Sequence, residues 1–267
     1  MEGRGKMIEF SELIIGSVED YDKLYDYVGK EAIDDYAVET LKRFVGTSCN
    51  KIVVEYPYHD KDFLSTYYCY YSQKFRSFPK KCYRLHIMGK DEVYYGYIVL
   101  RPTVKGTRLG TTYLSPKPLI NEEAYLMLAK YEAHIMDNKC EIKCFPWMKQ
   151  EVDISVCAHV AAWTILRYYG NKYHNYADTT MGAIAQKIKG DMGRKTPSNG
   201  LTPVQIADLF QEYGFSPIIR GGIKEENSKF LDEIMAYIES GIPIVGFISP
   251  KQHAVSIVGH GRINYDL

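Results

Sequence analysis

The feature that most narrows the fold is the run CAHVAAWTILRYY at 157–169, apolar on almost every side and followed by Gly170. A helix with one wet face carries an apolar stripe, whereas one that is apolar all round has to be enclosed by protein. The run therefore predicts a helix at the centre of a domain, ended by Gly170.

Segments able to cover such a helix follow it. Helices are expected at 179–188, 203–213 and 227–239. The second of these has Thr202 and Gln205 at capping-box spacing, Pro203 at the first helical position and Gly214 after its end. PIVGFI (243–248) and HAVSIVGH (253–260) read as strands, with SPKQ as the turn between them. The stretch KGDMGRKTPSNG at 189–200 reads as a surface loop, with a lid over a cleft as its alternative.

The first 45 residues read as helices over 18–29 and 32–44, with Tyr25, Val28, Ile33, Tyr36, Ala37, Leu41 and Val45 at roughly helical spacing. From about 51 the period changes. KIVVEY, STYYCYY, CYRLHI, EVYYGYIVL, AYLMLAKYEAHI and CEIKCF are rich in β-branched and aromatic residues and read as strands. The 24 tyrosines concentrate there, where an amphipathic ring suits a half-buried pleated face. GYIVLRPTVKGTRLG (96–110) lacks P-loop or dinucleotide spacing and reads as a strand and hairpin turn. The expected class is α+β, with a sheet-rich N-terminal α/β domain at 1–145 and a second domain at 146–267 built on the buried helix and an antiparallel sheet.

Composition limits the partners. Hydrophobic residues make up 46% and charged residues 25%, ordinary for a packed globular protein. Lysine plus arginine equals aspartate plus glutamate at 33 each, so no global field draws the chain to nucleic acid or anionic lipid. A local exception is QKFRSFPKKCYRLH at 73–86, where Lys74, Arg76, Lys80, Lys81 and Arg84 interleave with Phe75, Phe78 and Tyr83. It reads either as a solvated edge that resists strand pairing or as a nucleic-acid patch, and the first is the simpler account. No apolar run reaches the roughly 18 residues a membrane span needs, and the N-terminus lacks a signal-peptide core. A cytoplasmic address, no membrane and no nucleic-acid partner are the expectations.

Six cysteines in such a compartment read as reduced thiols. Cys140 and Cys144 share one face of CEIKCF and have no second ligand pair at metal spacing, so they read as small buried hydrophobes. No metal or cofactor is expected. Cys82 has basic neighbours but lies in a strand pattern without a matching base. Cys157 opens the buried helix, where unpaired backbone N–H groups and the positive end of the helix dipole favour a thiolate. Asp153 and Ser155 can supply the cap. His253 opens a strand in the same domain, where its ring can reach a nucleophile as general base and acid. His159, two residues from Cys157 around a helix, is badly placed for that role.

Together, Gln150-EVDISV-Cys157-AHVAAWTILRYYG, GLTPVQIADLFQEYGF (200–215) and GIPIVGFISPKQHAVSIVGH (241–260) resemble the C39-like branch of papain-fold cysteine peptidases. The resemblance covers about 146–267. It implies Cys157 as nucleophile, His253 as base and acid, and Gln150 as a side-chain donor to the oxyanion hole alongside the Cys157 backbone N–H. It also implies a peptide or protein substrate, with hydrolysis or acyl transfer both open. The chain departs from the family in having Ala158-His159 where a small pair such as Gly-Pro usually follows the cysteine.

The family also implies an Asp or Asn that orients the imidazole, and the candidates are Asn264 and Asp266. If Gly261-Arg262 form a two-residue hairpin turn, 260 pairs with 263, and Asp266 falls opposite 257. That is four residues from His253, or about 13 Å along a strand. Either the chain is shortened at its C-terminus or a Cys–His dyad does the work; the first is preferred. The competing reading is a non-catalytic papain-like scaffold whose N-terminal domain binds protein or nucleic acid.

Overall fold

The computed structural model describes residues 8–102, 108–118, 124–150, 157–188, 201–221, 228–248 and 253–261. Its N-terminal part is an antiparallel meander of five strands in sequence order: β1 (Glu9–Ile14), β2 (Cys49–Tyr58), β3 (Cys82–Gly89), β4 (Tyr94–Leu100) and β5 (Leu109–Leu114). β1 corrects the expectation of helices throughout the first 45 residues. Leu13 and Ile15 alternate into the core while β2 supplies the ladder, Ile14 lying opposite Lys51.

Successive side chains of these strands point to opposite faces, and the two faces are covered differently. One face, with Ile52, Val54, Leu85, Ile87 and Ile98, packs against α1 (Leu24–Val28) and α2 (Asp35–Phe44) through Leu24, Val28, Ala37 and Leu41. α2 is capped by Asp34, whose carboxylate accepts the Ala37 N–H at 2.8 Å. A 3₁₀ turn at Val18–Lys23 precedes α1, so the first expected helix is shorter and split.

The other face meets α3 (Lys61–Cys69), where strand STYYCYY was expected. The aromatics there follow a helical period, not an alternating one. Phe63, Tyr67, Tyr70 and Tyr71 are all buried on one side and pack with Cys82 and Val99. Asp60 fixes the helix start by accepting the Phe63 N–H at 2.7 Å. Against β4 and β5, the hairpin of β7 (Ala129–Ile135) and β8 (Asn138–Cys144) presents Ala129, Tyr131, Ala133, Ile142 and Cys144 inward, toward Tyr97 and Tyr113. β3 is a central strand paired on both sides, so the basic stretch ending in it is not a sheet edge. Arg84 there is held by Glu55 at 2.6 Å.

In the C-terminal part, α4 (Cys157–Lys172) is the enclosed helix, with Ala158, Ala162, Trp163, Ile165, Leu166 and Tyr168 buried. It runs past Gly170 to Lys172. This glycine is a site of close approach, since a Cβ there would lie 3.1 Å from the Ala177 carbonyl oxygen. α5 (Met181–Lys187), α6 (Pro203–Glu212) and α7 (Ser228–Glu239) follow, α6 with the expected capping box between Thr202 and Gln205. β9 (Ile244–Ile248) and β10 (His253–Ile257) pair antiparallel, His253 opposite Ile248. The run 253–260 is not one strand. β11 (Gly259–His260) leaves β9 and pairs with β6 (Tyr125–Leu126), His260 opposite Tyr125.

The two parts are joined by more than the chain. Besides β6 with β11, Thr112 and Trp147 exchange backbone hydrogen bonds at 2.8 and 3.1 Å, and Tyr168 and Ile238 complete the core under the β7–β8 hairpin. The mixture of helices with antiparallel sheets agrees with the α+β class expected. No described helix is long and apolar enough to cross a membrane.

Candidate active site

A cleft of about 380 Å³ lies between α4, β10 and the segment 145–150 that leads out of β8, and Gln150, Cys157 and His253 all line it. Each of the three is delivered by a different element. Cys157 is the first residue of α4 and is half-buried. His253 is the exposed first residue of β10. Gln150 ends a segment that the N-terminal sheet holds by its backbone.

That hold has two parts. The Thr112–Trp147 bridge fastens the segment to β5. The Arg101 guanidinium, 5% exposed, donates to the carbonyl oxygens of Leu109 and Lys149, both at 2.9 Å, and so fixes the peptide immediately before Gln150. Gly110 makes room for this arginine: a Cβ there would sit 2.7 Å from Arg101 Cγ. Nothing local in 96–110 points to a carbonyl nearly fifty residues away, so this role of Arg101 is not legible in the sequence.

Cys157 Sγ accepts the backbone N–H of Ala254 at 3.3 Å. Ser256, two residues further along β10, donates its hydroxyl to the Ala161 carbonyl at 3.2 Å. These two contacts lock β10 against α4 and place the residue after His253 on the sulfur.

The other cysteines have different surroundings. Cys49, Cys82 and Cys144 are buried, and burial pushes the thiols of Cys49, Cys140 and Cys144 up. Cys69 is half-buried and donates to the Thr66 carbonyl at 3.4 Å. Cys140 and Cys144 belong to β8, and no cluster of His, Cys, Asp and Glu suited to a metal occurs among the described residues. His159 is 2% exposed and does not line the cleft; burial lowers it to about 4.

Asn264 and Asp266 lie outside the described residues, as do Asp153, Ser155 and the loop 189–200. The expected pairing of 260 with 263 likewise falls on residues outside those described; His260 pairs with Tyr125 and is hydrogen-bonded to Glu239 at 3.1 Å.

Cys157 opens the enclosed helix, His253 opens an antiparallel strand, and both line the same cleft. Residues 141–264 match the model of the Peptidase_C39 like family, to which this part of the chain is similar. No curated protein and no solved structure matches the chain.

Proposed function

We propose that the protein is a cysteine peptidase or a related amide acyl-transfer enzyme, with Cys157 as nucleophile, His253 as general base and acid, and Gln150 as oxyanion donor. The observation that carries this reading is the shared cleft of the three residues, together with the Ala254 N–H aimed at Cys157 Sγ. Sγ attacks the amide carbonyl, forming the S–C bond. The negative oxygen that develops is met by the Gln150 side-chain amide and the Cys157 backbone N–H, where one well-aimed donor is worth roughly 3 kcal/mol.

As the C–N bond breaks, His253 hands its proton to the departing amine. Water, deprotonated by His253, then attacks the thioester and releases acid and thiol. An amine in place of that water gives transfer, so the same residues serve both outcomes. We further propose that residues 1–145 act as a support for 146–267, through the Arg101 and Thr112 contacts with the segment carrying Gln150.

The test is alkylation with iodoacetamide at neutral pH, followed site by site with mass spectrometry. Cys157 should react at least ten times faster than Cys69 and Cys140, and Cys157→Ala should abolish turnover of peptide substrates. Equal rates at all accessible thiols would overturn the assignment and favour a scaffold without catalysis.

A further inference from the structure

From the basic segment that joins α3 to β3 we infer that the outer face of α3 and residues 70–81 form a binding surface for single-stranded nucleic acid. None of these residues lines the cleft, so the inference stands whether or not Cys157 is a nucleophile.

The charge here is one-sided. Between Asp62 and Asp91 the sequence has no acidic residue, while Lys74, Arg76, Lys80, Lys81, Arg84 and Lys90 all fall there. In a chain with no net charge this is a strong local excess. Glu55 neutralises Arg84. Among the described residues, no carboxylate pairs with Lys74, Arg76, Lys80 or Lys81, and the last three are exposed. They do not guard a sheet edge, because β3 is paired on both sides.

The cations are interleaved with rings. Lys74 Nζ lies 3.9 Å from the centre of the Tyr70 ring, the Arg76 guanidinium 5.8 Å from that of Phe78, and Lys80 Nζ 5.0 and 5.2 Å from those of Tyr67 and Tyr68. Such contacts hold long side chains in place and leave their charge available to a ligand. Tyr67 and Tyr70 belong to the buried side of α3. Tyr68 is 58% exposed and Phe75 is fully exposed, and neither belongs to the core.

This mixture selects the partner. A single strand alternates phosphates with bases whose faces are open to stacking, so cations and rings each meet a complementary part of it. An acidic peptide would use the cations and leave the rings wet. A duplex keeps its base faces hidden. A bilayer would take the cations, but one exposed phenylalanine offers it little apolar surface to bury.

The experiment titrates the full chain into fluorescently labelled oligothymidylate and oligouridylate of about 20 nucleotides and reads anisotropy. Both should bind, since stacking reads base faces and not the sugar. If the four cations meet phosphates, affinity should fall roughly fiftyfold between about 50 and 200 mM salt. The double variant Lys80→Glu, Lys81→Glu should weaken binding by about tenfold or more and flatten the salt dependence. Phe75→Ala should weaken it by about fivefold or more and leave the salt dependence as it was. All three side chains are exposed, and an unchanged circular dichroism spectrum checks that the variants fold.

Inorganic polyphosphate of similar length should bind more weakly than the oligonucleotides and be indifferent to Phe75→Ala. No binding at low salt would overturn the surface, and binding unaffected by the lysine variant would place it elsewhere. Polyphosphate binding as tightly as the oligonucleotides, or no loss in Phe75→Ala, would leave only an electrostatic patch and overturn the assignment to nucleic acid. Tighter binding to phosphatidylserine vesicles would reassign the surface to a membrane, and equal binding of polyglutamate would reassign it to an acidic protein.

Discussion

Asp62 of α3 and Arg167 of α4 form a buried ion pair, the guanidinium donating to both carboxylate oxygens at 2.9 and 2.8 Å with each side chain 4% exposed. Asp62 also accepts the Trp163 indole N–H at 2.8 Å and the Met181 N–H at 3.3 Å, while Arg167 donates to the Thr179 carbonyl at 2.6 Å. The helix that carries Cys157 is thus tied to a helix of the N-terminal part. Burial raises the Asp62 carboxyl to about 6 while the Arg167 charge pulls it down. Removing Arg167 leaves the Asp62 carboxylate enclosed without its cation, and removing Asp62 leaves the enclosed guanidinium with only Asp178, 3.1 Å from its Nε, as counter-charge.

Asp62→Ala and Arg167→Ala should each lose about 3–5 kcal/mol of unfolding free energy in urea. The double variant should lose less than the sum, because neither charge is then stranded. Additive losses would show that the pair is not coupled.

How much of this was legible in the sequence depended on whether the signal was local. The enclosed helix, the capping box at Thr202 and Gln205, and the strand opened by His253 each rest on residues within one turn or one strand. α3 failed because Tyr67, Cys69 and Tyr71 satisfy a period of two as well as Phe63, Tyr67, Tyr70 and Tyr71 satisfy a helical one. The Asp60 cap decides between them, and it lies outside the aromatic run. β1 was missed because its partner β2 lies some forty residues away. Cys157, His253 and Gln150, which line one cleft and are proposed as the site, could be named from pattern and resemblance. The Arg101 contact with Lys149 could not, since it exists only once the sheet has formed.

His159 gives the fold a dependence on pH. Burial lowers it to about 4 from an ordinary 6.5, so between those values the unfolded chain takes up a proton that the folded one refuses. Its contribution to stability is full above about 6.5, is lost as pH falls, and levels off below about 4. Asp62, raised by burial, acts in the opposite sense over a similar range, so the measurement must be a difference. The urea midpoint of wild type minus that of His159→Leu should fall as pH is lowered from 7 to 4.5, by the equivalent of about 2 kcal/mol. A difference flat with pH would mean that His159 takes up its proton as readily in the folded protein as in the unfolded chain.

Gly182 sets how closely α5 approaches α3. A Cβ on it would stand 2.6 Å from the Ser65 carbonyl oxygen, and its own N–H donates to the Ser65 hydroxyl at 3.0 Å. The obstacle is backbone and cannot rotate away. Gly182→Ala should therefore cost about 1–3 kcal/mol despite the better helix propensity of alanine. A stabilised variant, read by thermal unfolding, would show that the two helices can separate freely.

Arg101 should act on catalysis through Gln150. On the proposed mechanism, Gln150→Ala removes one oxyanion donor and lowers kcat by about 10²–10³-fold. It does not touch the sulfur, so the iodoacetamide rate of Cys157 stays as it was. Arg101→Met keeps most of the buried stem but frees the Lys149 carbonyl, letting the glutamine drift. A misplacement of about 1 Å is enough to cost two orders of magnitude. Its effect should fall on kcat more than on KM, and it should nearly vanish in the Gln150→Ala background, because a donor already absent cannot be misplaced. If Arg101→Met lowers kcat equally with and without Gln150, the arginine supports the fold alone, and the oxyanion segment is positioned by the Thr112–Trp147 bridge without it.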